Sequence, residues 1–160
     1  GIMSSVEFVR DIVRPNARLG AETAGRNPDA LVFPMAATVS INSDVESARD
    51  ATRRSICKLF HPIPHPYYDS QLRQLGFSDF VDQAAQLMPA KRLREAMELV
   101  PDEVIDTMTI TGNVEECAAR LKEYEGIADE VILARTAQRG EPKGMAAYED
   151  LFELIDKVSG

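Results

Sequence analysis

An α/β fold built on parallel strands is what this sequence predicts, on three observations. Met35, Ala37, Val39 and Ile41 alternate with Ala36, Thr38, Ser40 and Asn42, the period-two pattern of a strand whose two faces meet different surroundings. A helix with a capped start at Asn113 and a glycine stop at Gly126 feeds Val131-Ile-Leu-Ala134, a run apolar on both faces, as strands are when helices cover a parallel sheet. Helical periodicity fills most of the remaining chain. The length of 160 residues suits one domain, 1–160, with a core of its own.

Val6, Val9, Ile12 and Val13 mark the first helix. Pro15 lacks the donor a helix interior needs, so the helix kinks or restarts there and runs on through Ala17, Ala21 and Ala24. Arg26-Asn-Pro-Asp29 is a turn, and the strand at 31–42 follows. Its larger apolar set would pack under helices and its hydroxylic set would face an interior; the alternation also fits a half-solvated antiparallel strand. Ser43 and Glu46 have capping-box spacing and open a helix whose face is Val45, Ala48, Thr52, Ile56, Leu59 and Phe60. His61-Pro-Ile-Pro-His-Pro66 must run extended. Short helices follow: one ending at Gly76, one from Ser78 or Asp79 to Met88, one from Pro89 to Val100, and a helical turn after Pro101. Residues 107–111 alternate as a short strand. Asn113 and Glu116 make a second capping box ahead of the stripe Val114, Cys117, Ala118, Leu121 and Tyr124. Beyond a loop at 136–144, Tyr148, Leu151, Phe152, Ile155 and Val158 form a closing amphipathic helix.

A formal charge of −8 repels nucleic acid and anionic membrane surfaces, which makes both poor partners. Nothing approaches the roughly 18 apolar residues of a membrane helix, and a cytoplasmic location with Cys57 and Cys117 as reduced, buried thiols is expected. Rossmann, P-loop and nucleophile-elbow signatures are absent. His61 and His65 have a metal pair's helical spacing, but the prolines between them prevent a helix, so no metal site is expected. Amides at Gly112, Asn113 and Val114 could hold an anion at a helix start. Glu115 and Glu116 already supply negative charge there, so plain capping competes with that reading. Arg135, Thr136 and Arg139 follow the last strand, where a guanidinium could hold a phosphate or pair with a surface carboxylate.

Two patches resemble one family. The first is Thr111-Gly-Asn-Val-Glu-Glu-Cys with its Leu-Lys-Glu-Tyr helix and Ala128-Asp-Glu-Val-Ile-Leu; the second is the Pro-His-Pro-Tyr-Tyr entry and Leu-Gly-Phe corner of the helical segment. Together with the long first helix and its Ala-Gly-Arg-x-Pro turn, these resemble the C-terminal part of the luciferase-like monooxygenases. The resemblance implies the C-terminal portion of a TIM (β/α)8 barrel, incomplete, with a helical insertion at 61–106. It implies hydride transfer or monooxygenation in the parent, with coenzyme F420 or FMN as cofactor. Thr38, Ser40, Gly112, Asn113, Arg135 and Thr136 would be its cofactor contacts, and no catalytic residue can be assigned. A full barrel takes roughly 250 residues. The missing staves would leave strand edges bare, so a homodimer or a separate N-terminal half is expected as partner. The rival readings are a non-catalytic α/β interaction or oligomerisation module and an unrelated α/β domain that binds a small ligand.

Overall fold

Strand β1 (Pro34–Ile41) is the middle of a three-stranded, all-parallel sheet with β2 (Ile110–Gly112) on one side and β3 (Glu130–Arg135) on the other. The computed structural model describes residues 3–61 and 64–159. β2 pairs with the end of β1, Val39 opposite Ile110 and Ile41 opposite Gly112; β3 pairs from Pro34 opposite Glu130 to Val39 opposite Arg135.

One sheet face carries Met35, Ala37, Val39, Ile41 and Ile110 and packs against Cys117 and Ala118 of α8 (Val114–Leu121) and Leu151 and Leu154 of α9 (Glu149–Ser159). The predicted apolar set thus lies under helices. The opposite face differs from expectation. Helix α3 (Val45–Lys58) crosses its C-terminal end: Ser40 Oγ donates to the Ala48 carbonyl at 3.0 Å, and the Thr52 and Thr111 hydroxyls meet at 2.8 Å. Ser40 is therefore sealed. Beyond α3 the same face is bare, and Ile132, opposite Ala36, is 54% exposed. The prediction that 131–134 is apolar on both faces because both are covered fails here, since among the described residues no helix lies over that half.

The N-terminal helix is α1 (Val6–Phe8), a π-helical turn at Val9–Val13 and α2 (Arg14–Thr23), right-handed throughout. The wide turn accommodates Pro15, whose ring would otherwise strike the preceding turn of a regular helix. Ser43 does not cap α3. Asn42 Oδ1 accepts from the Asp44 amide at 2.9 Å, which moves the cap to Asp44, and Glu46 turns instead to Arg53 at 2.6 Å.

A second core, distinct from the sheet core, is helical. It joins Ile56, Cys57 and Phe60 to residues of α4 (Pro66–Gln74), α5 (Ser78–Leu87), α6 (Leu93–Glu98) and α7 (Asp102–Met108). The extended path predicted over 61–66 includes 62 and 63, which lie outside the described residues; Pro66 opens α4. Helix α6 starts at Leu93 rather than Pro89 because α5 ends in a left-handed residue, Lys91 (φ 60°), with the Arg92 amide donating back to the Leu87 carbonyl. The strand predicted from 107 begins at Ile110: Val104, Ile105 and Met108 all bury from one helical face, so α7 continues to Met108. Arg49 reaches Asp106 at 2.8 Å, and Arg53 reaches Asp102 at 3.0 Å, tying α3 to α7.

In the closing helix, Leu151 and Leu154 dock while Tyr148, Phe152, Ile155 and Val158 of the predicted apolar face stay partly exposed. Cys57 and Cys117 are buried free thiols, and burial pushes both up to about 12. A neutral thiol is a poor nucleophile. An aromatic disulfide reagent is therefore expected to label neither cysteine in the native protein and both after denaturation; fast native labelling would contradict this packing.

Candidate functional site

The three strands end together at Ile41, Gly112 and Arg135, because all run the same way. A belt of hydrogen bonds crosses these ends. The Asn42 amide N–H donates to the Gly112 carbonyl at 3.0 Å, and Asn42 Nδ2 donates to Gln138 Oε1 at 2.6 Å. Gln138 Nε2 donates to the Ile41 carbonyl at 2.7 Å, and the Gln138 backbone N–H to Glu141 Oε2 at 2.7 Å. Glu141 also accepts from Arg135 Nη2 at 2.5 Å. The loop after β3 is thereby laced to the end of β1.

The Arg135 guanidinium, then the Gln138 amide, hold the Glu141 carboxyl below the usual carboxylate range. Since the folded value is depressed, the contact contributes stability above the ordinary value of about 4.3, and that contribution is lost as pH falls through the lower folded value. Glu141→Gln is expected to flatten the loss of stability on acidification in this window, read from denaturant midpoints across pH; an unchanged slope would count against the pair.

Of the predicted contacts, Thr38, Arg135 and Thr136 come together. They line a cavity of about 280 Å³ with Lys58, Leu59 and Ala134, at the border between the α3-covered and bare parts of the sheet face. Thr136 is buried and its amide donates to the Val39 carbonyl at 2.7 Å. The Arg135 guanidinium also lies over the Tyr148 ring, 5.4 Å from its centroid, so its direction is set on two sides. Ser40 is not in this cavity, for the reason already given. Gly112 and Asn113 are on the far side of β1 from β3. Their helix start is filled by its own carboxylate: Asn113 Oδ1 accepts from the Glu116 amide at 3.0 Å, and Glu116 Oε2 accepts from the Asn113 amide at 2.9 Å. The capping box is formed, and its carboxylate puts negative charge where an external anion would sit.

Arg139 lies in a neighbouring cleft of about 560 Å³, on the Asn42 side of the strand ends. Sequence reasoning missed Asn42, Gln138 and Glu141. Asn42 and Gln138 are 96 residues apart, and no local pattern marks such a pair. Among the described residues no group of three His, Cys, Asp or Glu side chains converges as a metal site would.

Three comparisons bear on this arrangement. A family profile described as luciferase-like monooxygenase matches residues 9–130. A Mycobacterium tuberculosis protein provisionally named a coenzyme F420-dependent oxidoreductase is 29% identical over 69 residues, 42% of this chain and 20% of that protein. The coenzyme F420-dependent tetrahydromethanopterin reductase from Methanopyrus kandleri superposes with a TM-score of 0.67 at 20% identity, over 83% of this chain and 37% of that one. An F420-dependent secondary alcohol dehydrogenase, solved with an F420–acetone adduct, gives 0.62 at 16% identity, over 97% and 41%. The chain therefore spans a minor part of each relative's length. The structural likeness establishes the fold, a parallel α/β portion of a barrel with staves missing.

Proposed function

The chain belongs to the luciferase-like monooxygenase family, and from that premise we propose that it is the C-terminal segment of a coenzyme F420-dependent oxidoreductase, forming one wall of the cofactor pocket. The observation that carries this reading is the cavity of Thr38, Ala134, Arg135 and Thr136 at the carboxyl ends of parallel strands, where (β/α)8 enzymes build their sites. At about 280 Å³ it is just below the usual ligand range of roughly 300–1,000 Å³. It borders the bare sheet face, so a planar ring can extend from it over Ala36 and Ile132.

The bound deazaflavin would supply hydride transfer. This chain's own residues bind and orient. Ala134 and Leu59 offer apolar contact, and Thr38 and Thr136 are the buried polar residues of the lining. Arg135 is in register with Val39, so its guanidinium turns to the helix-packed face, where Glu141 and Tyr148 hold it and fix the strand end that borders the cavity. The relatives that name a cofactor name F420, which favours it over FMN. Among the described residues no helix is long and apolar enough to cross a membrane, and a cytoplasmic setting goes with this reading.

Exposed Ile132 favours a second element of the proposal: the bare face is covered by a partner, either a second copy or the rest of the barrel. If the chain served only as an assembly module, it would oligomerise without binding cofactor. Separate fluorescence titrations with F420 and FMN test the reading, with light scattering on the same samples. Saturable F420 binding is expected, abolished by Thr38→Trp, which fills the cavity. No F420 binding together with a stable oligomer would replace the catalytic reading with the assembly one.

A further inference from the structure

We infer that Arg54 and Arg139 form an oxyanion-binding site that takes the phosphate or carboxylate groups of a small, multiply charged ligand. Most arginines of this acidic chain are engaged by carboxylates or carbonyls. Among the described residues Arg26, Arg54 and Arg139 are the arginines whose side chains have no hydrogen bond or ion pair. Two of these three line the same cleft of about 560 Å³. With 26 acidic side chains against 18 basic ones, two unpaired guanidiniums on one cleft are unlike the rest of the surface.

They come from separate elements. Arg54 projects from α3, and Arg139 lies in the loop that the Gln138 and Glu141 bonds lace to β1. The cleft carries further polar groups on Asn42, Ser47 and Gln138. Its one carboxylate, Asp50, is answered by Arg53 at 2.9 Å, and Asp44 nearby accepts from Ser47 Oγ at 2.6 Å. Guanidinium pairs suit planar or tetrahedral oxyanions because each offers two parallel N–H donors. None of Thr38, Arg135 or Thr136 lines this cleft, so the site does not depend on the cofactor reading.

Isothermal titration with inorganic pyrophosphate and, separately, with citrate tests it on the wild-type chain, on the R54Q/R139Q double variant and on R54K/R139K. Both positions are exposed, and circular dichroism checks that the fold persists; R139Q alone, in a loop, replaces the double variant if it does not. Saturable binding that weakens with salt is expected, reduced roughly tenfold or more in the glutamine variant and partly kept in the lysine one. Pyrophosphate binding alone assigns a phosphate ligand and citrate binding alone a carboxylate one; both outcomes support the site. No saturable binding of either anion, or equal binding by the glutamine variant, overturns it. A chain that binds pyrophosphate but not F420 would keep this site and lose the proposed function.

Discussion

Phe60→Ala is expected to lower the free energy of unfolding by about 3–5 kcal/mol, measured by denaturant titration. Phe60 is 1% exposed and meets the Phe80 ring edge-on with centroids 5.6 Å apart. Its neighbours Ile56, Leu72, Val81 and Ile105 come from helices locked to one another, so the cavity left by the ring cannot collapse freely. Against a typical total of roughly 5–15 kcal/mol, this loss is a large share. Phe60→Leu keeps most of the volume and is expected to cost under about 1.5 kcal/mol. Hydrogen exchange should locate the damage. Amides of α4 to α7 would exchange faster, while β1 keeps its protection, because the helical core and the sheet core hold separate sets of residues. A loss below about 1 kcal/mol for the alanine variant would show that the helical core is not packed as described.

Gly112→Ala is expected to cost about 2–4 kcal/mol, from backbone strain together with a damaged helix cap. Gly112 has φ of 152°, and a Cβ there would run into the Glu116 side chain, reaching both its carboxylate and its Cβ. That carboxylate closes the capping box on the Asn113 amide. The substitution must therefore displace the cap that starts α8, and α8 covers the apolar face of the sheet. Glu116→Ala should cost less alone, because it removes the cap without straining the backbone. The double variant should fall short of the sum, since the clash with the carboxylate disappears and only the closer approach to the Cβ of residue 116 remains. Thermal or denaturant unfolding of the two single variants and the double one measures this directly. Full additivity would show that the glycine and the glutamate act independently.

Much of this protein was legible without coordinates. The alternation at 35–42 and the Asn113-to-Gly126 helix rest on contacts between residues one to four apart, which a sequence states outright. The cap at Asn113 followed from such patterns, whereas the barrel kinship and the parallel pairing of β1 and β3 came from the resemblance of motifs to a known family. The site was legible in part. Thr38, Arg135 and Thr136 do share a cavity, but Ser40 turned out sealed and Gly112 and Asn113 already satisfied.

Local pattern therefore determined which segments are helix or strand, which strand parity is apolar, and where one helix begins. Tertiary structure alone decided that α3 lies over the hydroxyl face, that Ile132 stays bare, and that Asn42 meets Gln138 across 96 residues. The reason is physical. Periodicity tells which side of an element avoids water, but a hydroxyl can bury as comfortably against a carbonyl as against solvent. Which neighbour it finds depends on where the chain returns.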